Sequence, residues 1–264
     1  MKYDFVIIGS GLGGLQCAYI LSKEGYRVCV LEKNRQIGGN LQIFVRDKAI
    51  FDTGIHYIGG LAEGQNLHTY FKYFGLMEKL KLKKLDEDGF DIVTFNNDNI
   101  EYKHAQGYQN FKEKMLSYFP NEKKAIDEYC NKLQEISAYF PLYNVQYGPK
   151  SVLETKFLEI NTHDYIASIT QNQKLRNVLA GTNALYAGVA EKTPLYVHAL
   201  VINTYIESAW KCIDGGAQIA TLLAHSIKAM GGEIRNYTEV VKFNFSGDSI
   251  QDAELKSGER IEAK

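Results

Sequence analysis

A glycine-rich turn between an apolar strand and a helix constrains this chain more than any other feature of its sequence. The apolar run 5–8 leads into GSGLGG at residues 9–14, and apolar residues at helical spacing continue to Gly25. The run 27–31 predicts a second strand, which closes on Glu32. Strand, turn, helix and strand in this order form one βαβ unit. We expect the first strand to be parallel to the second and covered on both faces.

The spacing GxGxxG in this context predicts a dinucleotide site. Gly9 permits the tight turn, Gly11 lets the backbone approach a pyrophosphate, and Gly14 allows the helix to pack closely on the strand. The phosphates would lie at the helix N-terminus, where backbone N–H groups and the helix dipole favour negative charge. Glu32 would accept hydrogen bonds from the ribose hydroxyls and would repel a 2′-phosphate.

A second glycine pair bears on which dinucleotide is bound. Gly38 and Gly39 follow shortly after the ribose carboxylate and let the backbone come close to a bulky ligand again. A cofactor that is buried along its length suits this pattern, so the sequence favours FAD over an exchangeable NAD.

The middle of the chain predicts a mostly helical insertion. Apolar residues recur at three and four over 121–140, Thr162 is a candidate cap for a helix that ends at Ile169, and 195–210 has the character of a largely apolar helix.

The last sixty residues return to an α/β pattern. A glycine pair precedes a helix over 217–230, and strands are predicted over 239–245, 250–255 and 259–263.

Three segments resemble a known family. The segment 32–39 is similar to the glutathione-reductase and amine-oxidase class of FAD proteins. The string FDTGIHYIG at 51–59 resembles the branch that holds phytoene desaturases, carotenoid isomerases and retinol saturases, with the retinol saturase (all-trans-retinol 13,14-reductase) form the most similar, and the segment 215–241 is similar to the part of that branch that returns to the FAD domain.

The resemblance implies an α/β fold, with a Rossmann-type FAD/NAD(P)-binding domain and a mostly helical substrate-domain insertion. The FAD-binding domain would be discontinuous, formed by 1–61 and 206–264, with its C-terminal part missing, and 62–205 would form the substrate-binding insertion. The chain has about half the length expected of the family, which predicts a truncation, a split gene or a fragment. Activity of such a chain is therefore a separate question from its lineage.

The resemblance also implies a set of cofactor-binding residues. They are Gly9, Ser10, Gly11, Leu12, Gly13, Gly14, Glu32, Lys33, Gly38, Gly39, Asn40, Leu41, Val240 and Val241. One departure concerns Asn40, because many relatives carry Arg after the glycine pair. Loss of that positive charge would weaken FAD binding unless backbone contacts suffice.

Other residues have both functional and structural interpretations. His56 lies where the family's chain runs toward the flavin, so it either tunes the flavin or binds backbone at a strand end. Asp52 is expected to anchor its local turn. The lysine-rich stretch 79–84 would contact anionic lipid headgroups or, as we favour, protect an edge strand. An aromatic set, interpreted as core rather than as a lipid tunnel, comprises Tyr186, Tyr196, Tyr205 and Trp210.

Composition excludes some classes of function. The formal net charge of −1 argues against a nucleic-acid binder. Four scattered cysteines, with no metal-type spacing, indicate a reduced, cytoplasmic protein. No apolar run is long enough to span a membrane, so any membrane contact would be peripheral. No catalytic triad, metal cluster or carboxylate pair stands out.

The sequence therefore predicts an FAD-dependent oxidoreductase. The resemblance implies saturation or desaturation of a carbon–carbon bond in an apolar polyene or isoprenoid, such as a retinoid or carotenoid, with NAD(P)H or another electron partner. Two alternatives stay open: an amine-oxidase-like flavoprotein, and a non-catalytic lipid-binding protein on the same fold.

Overall fold

The computed structural model describes residues 3–146 and 157–264. The chain divides into two compact units. The first unit comprises Met1–His56, Phe71–Leu82 and Cys212–Lys264, and the second comprises Tyr57–Tyr70 and Lys83–Lys211. These bounds differ from the predicted domain bounds mainly at 71–82, which sequence analysis placed in the insertion.

The described residues form thirteen strands and eight α-helices. In chain order they are β1 (Phe5–Ile8), α1 (Leu12–Lys23), β2 (Val28–Leu31), β3 (Ile43–Arg46), β4 (Ala49–Asp52), β5 (Ile58–Gly59), α2 (Asn66–Tyr73), β6 (Leu82–Lys84), β7 (Asp91–Val93), β8 (Tyr102–His104), α3 (Tyr108–Tyr118), α4 (Lys123–Tyr139), α5 (Thr162–Ile169), α6 (Gln173–Leu179), α7 (Leu195–Glu207), β9 (Ala209–Cys212), α8 (Ala217–Ala229), β10 (Glu233–Arg235), β11 (Val240–Ser246), β12 (Ser249–Leu255) and β13 (Arg260–Ile261).

A parallel sheet with the strand order β1-β2-β10 organises the first unit. The predicted βαβ unit is confirmed, since β1 pairs with β2 in parallel and α1 connects them. The expectation that β1 is covered on both faces is wrong. Among the described residues β1 is an edge strand, and its Phe5 and Ile8 side chains are 39% and 49% exposed. All four residues of the central strand β2 are buried.

Antiparallel strands complete the first unit. Strands β11, β12 and β13 form one sheet, and β3 and β4 form a hairpin. A small apolar cluster joins the parallel sheet to β12 and β13 through Cys29, Leu31, Leu255 and Ile261. Burial of these side chains stabilises the arrangement because apolar surface is removed from water.

Helices α3 to α7 build the core of the second unit. Helices α4 and α7 pack against each other around fully buried side chains such as Ile126, Leu133 and Leu195. No helix of the described residues is long and apolar enough to cross a membrane.

Short strands accompany the helices, and β6 lies at the edge of the sheet ordered β5-β9-β6. This supports the interpretation of the lysine-rich stretch as a protected edge strand.

Two predicted helix boundaries in this unit are wrong. Asn161, not Thr162, caps α5, because the Asn161 side chain accepts a hydrogen bond from the backbone N–H of Asp164 and Thr162 is already helical. Helix α7 ends at Glu207, because Ser208 is extended and β9 begins directly after it. The residues around Trp210 pair with β5, which a helical pattern of apolar residues cannot reveal.

The predicted aromatic set does not form one stripe. Tyr196 stacks on Phe140, and Tyr205 contacts the ring of Tyr57. Trp210 donates its indole N–H to the Ser208 hydroxyl. These side chains therefore belong to separate packing environments within the second unit and give no support to one lipid tunnel.

A buried histidine lies between two tyrosines in the second unit. His198 is fully buried; its Nε2 is 2.7 Å from the Tyr129 hydroxyl and its Nδ1 is 2.6 Å from the Tyr186 hydroxyl. Burial lowers the pKa of His198 to about 3, with a smaller contribution from His104. The imidazole is therefore neutral at ordinary pH and joins two hydroxyls inside an apolar core.

This histidine predicts a loss of stability in mild acid. The unfolded chain protonates His198 near its ordinary pKa of 6.5, whereas the folded chain resists protonation down to about pH 3. Stability is therefore fully present above about pH 6.5 and falls as the pH decreases, by about 2–3 kcal/mol at pH 4.5. Urea unfolding at pH 7 and pH 4.5 can be followed by the fluorescence of Trp210, the single tryptophan.

The variant His198→Gln isolates this contribution. Glutamine keeps a hydrogen-bonding side chain but cannot take up the proton, so the variant should be less stable at pH 7. Its unfolding in acid should take up about one proton fewer than that of the wild type, so its free energy of unfolding should depend less on pH. An acid sensitivity equal to that of the wild type would contradict the assignment.

Candidate functional site

The glycine turn joins β1 to α1 in the geometry that the spacing predicted. Gly9 has a φ of +92°, which favours glycine, and its backbone N–H donates to the Leu31 carbonyl at 2.8 Å. A Cβ added at Gly14 would lie 2.1 Å from the Gly9 carbonyl oxygen. Helix α1 can therefore approach β1 this closely only with glycine at position 14.

The N-terminus of α1 is open to a ligand. Within the described residues no side chain caps it, and its first turn carries no acidic residue. A Cβ added at Gly11 or Gly13 would meet no atom within 4 Å. Free space next to uncapped backbone N–H groups at the positive end of a helix dipole forms a cradle for an anion.

Glu32 is fixed at the end of β2, beside this cradle. Its carboxylate is only 5% exposed. One oxygen accepts hydrogen bonds from the Ser10 backbone N–H at 2.9 Å and from the Ser10 hydroxyl at 2.5 Å, and the other accepts from the Asn34 backbone N–H at 2.8 Å. The second oxygen keeps a lone pair for one further donor, such as a sugar hydroxyl.

The hydrogen bonds keep the Glu32 carboxylate charged. Burial acts to raise the pKa of Glu32, but the hydrogen bonds from Ser10 and Asn34 outweigh it and hold the pKa below its ordinary value. A negative charge at this position favours hydroxyl donors and disfavours a phosphate.

The second glycine pair packs against the first turn. The Gly38 N–H donates to the Ser10 carbonyl at 3.0 Å, and a Cβ added at Gly39 would lie 3.2 Å from the Gly11 Cα. A Cβ at Gly38 would lie 2.9 Å from the Cβ of Ala220 on α8. These glycines therefore permit close contact between parts of the protein, a role that the sequence argument had assigned to contact with a ligand.

The segment after this pair lies within the first unit. Asn40 is exposed, and its carbonyl accepts a hydrogen bond from the Thr53 hydroxyl at 3.3 Å. Leu41 is buried, whereas Lys33 is exposed beside Glu32.

The start of β11 also lies near Glu32. The Thr238 N–H donates to the Glu32 carbonyl at 2.8 Å, two residues before Val240. Val240 packs on the cluster around Leu31, whereas Val241 is 56% exposed and falls at a register shift of the β11–β12 ladder. The side chains of the predicted Val240–Val241 pair therefore have different environments. The register shift changes the direction of the backbone at this point.

Asp52 anchors a distant helix. Its Oδ1 accepts a hydrogen bond from the Gly216 backbone N–H at 2.7 Å, at the N-terminus of α8. This hydrogen bond joins residues that are 164 positions apart, whereas the sequence predicted that Asp52 anchors its local turn. His56, the candidate for flavin contact, is exposed at the end of the first unit's N-terminal segment.

Sequence reasoning missed several contacts at this site. Ala220, the Asn34 backbone and the Thr238 backbone all support it, and no local motif marks them.

In the ranges 3–146 and 157–264, no group of three or more His, Cys, Asp or Glu side chains is arranged to hold a metal ion.

Comparisons with known proteins agree with this geometry. A family model described as an NAD(P)-binding Rossmann-like domain matches residues 7–74. All-trans-retinol 13,14-reductase from Danio rerio is 27% identical over 99% of this chain and 46% of its own length, and the one from Homo sapiens is 30% identical over 88% of this chain and 41% of its own. Prolycopene isomerase from Daucus carota is 25% identical over 100% of this chain and 45% of its own. The chain therefore spans less than half the length of these relatives.

Solved structures show the same fold. A putrescine oxidase bound to putrescine is 17% identical, with a TM-score of 0.68 over 100% of this chain and 57% of its own. A Rab GDI from Plasmodium falciparum is 16% identical, with a TM-score of 0.59 over 99% of this chain and 64% of its own. At such identities the likeness concerns the fold alone, and the predicted Rossmann-type fold class is confirmed.

Two neighbouring glycines of α1 give opposite predictions for stability. Gly14→Ala places a methyl group against the Gly9 carbonyl, which must shift, and should lower the free energy of unfolding by roughly 2 kcal/mol or more. Gly13→Ala adds a methyl group to open space and improves helix propensity, so stability should be unchanged or slightly higher. Thermal unfolding of both variants checks this, and equal destabilisation by the two would refute the packing role of Gly14.

Proposed function

The chain belongs to the oxidoreductase family that includes the all-trans-retinol 13,14-reductases and the prolycopene isomerases, and on this premise we propose that its first unit binds FAD. The observation that carries the proposal is the pairing of an open, uncapped α1 N-terminus with a charged Glu32 at the end of the neighbouring strand. The helix N-terminus offers amide donors to phosphates, and Glu32 offers a carboxylate to sugar hydroxyls. This combination fits the ADP part of a dinucleotide.

The phosphate end of the cofactor would contact the glycine turn. The uncapped backbone N–H groups of the first turn of α1, from Leu12 to Gly14, would face the open space at Gly11, where the pyrophosphate would lie, whereas the Ser10 N–H is held by Glu32. No acidic side chain of the first turn opposes its negative charge. Gly39, Asn40 and Leu41 would follow toward the ribityl chain.

The adenosine end would contact Glu32 and the start of β11. The Glu32 oxygen that is bonded to Asn34 would accept a hydrogen bond from a ribose hydroxyl, with Lys33 beside it. The adenine would meet the backbone at Val240 and Val241, where the register shift interrupts regular pairing.

The reaction that we propose is saturation or desaturation of a carbon–carbon bond in an apolar polyene or isoprenoid. When bound, the flavin supplies the exchange of hydride or electrons, and NAD(P)H or another donor or acceptor completes the cycle. The support comes from the names of the relatives, which act on retinol and prolycopene. His56 remains the candidate for a contact near the flavin.

The two alternatives give different experimental results. An amine oxidase would turn over amines rather than polyenes. A carrier of the Rab GDI kind would bind a lipid without redox chemistry. The buried Glu32 carboxylate beside an open phosphate cradle favours a nucleotide-binding protein over such a carrier.

Binding of FAD is the first prediction of this proposal. Titration of the purified apoprotein with FAD, followed by flavin fluorescence, should show saturable binding. Gly11→Ala puts a methyl group where the pyrophosphate would lie but meets no protein atom, so it should weaken FAD binding at least tenfold and leave the unfolding temperature unchanged. Apoprotein that takes up no FAD in excess would rule out the proposal, as would undiminished binding by the variant.

A charge-matched pair of variants tests the ribose contact. Glu32→Gln removes the carboxylate and should weaken FAD binding about tenfold. Glu24→Gln removes the same charge from the exposed C-terminal end of α1 and should leave affinity unchanged. Equal affinities of Glu32→Gln and wild type would remove Glu32 from the site.

Turnover decides among the oxidoreductase hypotheses. The FAD-loaded chain is incubated with all-trans-retinol and a reductant, and the loss of absorbance of the conjugated polyene is measured. A parallel reaction with an amine substrate serves as the comparison. Polyene turnover supports the proposal. Amine turnover alone supports the first alternative, and flavin binding without any turnover restricts this polypeptide to cofactor binding.

A further inference from the structure

The Glu32 carboxylate has little free capacity for a ligand. A charged carboxylate accepts about four hydrogen bonds, two at each oxygen. Oε2 accepts from the Ser10 backbone N–H at 2.9 Å and from the Ser10 hydroxyl at 2.5 Å. Oε1 accepts from the Asn34 backbone N–H at 2.8 Å. Among the described residues Oε2 is therefore fully occupied, and Oε1 keeps one acceptor site.

The Ser10 hydroxyl is committed to Glu32. A charged carboxylate only accepts hydrogen bonds, so the hydroxyl is the donor. Its oxygen in turn accepts from the Gly38 backbone N–H at 3.2 Å. Ser10 is fully buried, so water does not compete for these bonds. The hydroxyl hydrogen is therefore held on Oε2 by the packing of the two glycine segments.

The main chain of Glu32 is fixed on both sides as well. Its N–H donates to the Arg235 carbonyl at 2.9 Å, and its carbonyl accepts from the Thr238 N–H at 2.8 Å. The carboxylate could offer both oxygens to a ligand only by breaking its bonds to Ser10. Hydrogen bonds to a charged group in a buried site are strong, so we expect these bonds to persist when a ligand binds.

A ribose presents two neighbouring hydroxyls, at its 2′ and 3′ carbons. A carboxylate with two free oxygens can accept one hydroxyl at each oxygen. Glu32 has only the remaining site on Oε1, because both sites of Oε2 are taken by Ser10. The count of acceptors therefore leaves one of the two hydroxyls without a partner on Glu32.

We infer that Ser10 is a positioning residue, which turns one oxygen of Glu32 away from the cofactor, so that Glu32 accepts only one of the two ribose hydroxyls. The inference rests on the proposed FAD site and narrows what that site recognises. It also gives Ser10 a different role from the direct cofactor contact that the resemblance implied, since the Ser10 N–H is held by Glu32.

Isothermal titration of the full chain with three nucleotides tests this count. They are ADP, 2′-deoxy-ADP and 3′-deoxy-ADP, which carry the sugar and the phosphates without the flavin. One deoxy analogue should bind about tenfold more weakly than ADP, because it lacks the hydroxyl that donates to the charged Oε1. The other deoxy analogue should bind as tightly as ADP.

Other results of this titration overturn the inference. Weakening of both analogues by similar factors would show that both hydroxyls are bound. Equal binding of all three nucleotides would show that Glu32 does not contact the ribose. Absence of saturable ADP binding at millimolar concentration overturns the inference too, whereas failure of the proposed function is measured separately, by the titration with FAD.

The variant Glu32→Gln assigns the sensed hydroxyl to this carboxylate. The amide keeps the size of the side chain but removes the charge, so the difference between ADP and the weaker analogue should fall to about twofold or less. A retained tenfold difference would place the contact on another group and would overturn the inference.

The variant Ser10→Ala tests the positioning role. It leaves Oε2 with one donor instead of two, so the carboxylate can turn and offer that oxygen to the second hydroxyl. The analogue that the wild type binds as tightly as ADP should then bind more weakly than ADP. A merely structural role would weaken all three nucleotides by the same factor, and unchanged ratios among them would remove Ser10 from its assigned role.

Two further serine variants complete the design. Ser22→Ala is the matched control, because Ser22 lies buried in the last turn of α1 and its hydroxyl has no partner among the described residues. This control should leave the ratios among the nucleotides unchanged. Ser10→Cys covers the case in which Ser10→Ala fails to fold, since the thiol fills the space but is a weak donor. It should change the ratios in the same direction as Ser10→Ala, and wild-type ratios in this variant would overturn the inference.

Discussion

The first unit depends on the hydrogen bonds that converge on Ser10. This residue is fully buried, and its N–H and hydroxyl both donate to the Glu32 carboxylate, while its carbonyl accepts from Gly38. Three separate segments, the glycine turn, the end of β2 and the second glycine pair, are thereby held at fixed distances. Because charge-assisted hydrogen bonds in a buried environment are strong, this arrangement resists local opening.

The parts of this site that could be predicted from the sequence are those in which spacing alone sets geometry. The distance from the glycine turn to Glu32 is fixed by one helix and one strand, so the βαβ unit follows from residues 5–32. The tight packing at Gly14 follows in the same way, since helix and strand are adjacent in the chain. These short-range distances are the same in any protein that contains the βαβ unit, so they can be predicted without knowledge of the rest of the fold.

The remaining contacts could not be predicted, because they join residues that are far apart in the chain. The Asp52 contact with Gly216 and the approach of Ala220 to Gly38 depend on where α8 comes to lie in the first unit. The exposed β1 edge has the same origin, since an apolar run indicates a strand but does not show how many neighbours it has. At Trp210, strand pairing with β5 outweighed a helical pattern. In each case tertiary pairing decides between local alternatives.

The electrostatic polarity of the candidate site argues most directly for its ligand. The helix terminus of α1 is positive and lacks an acidic residue, whereas Glu32 at the neighbouring strand end is negative and kept charged by its donors. A simple anion would be attracted by the first and repelled by the second. A molecule with phosphates at one point and hydroxyl donors at another satisfies both, and it leaves neither the amides nor the carboxylate without partners. These charges are therefore the ones expected of a site for a nucleotide with an unphosphorylated ribose, which is the class of ligand proposed above.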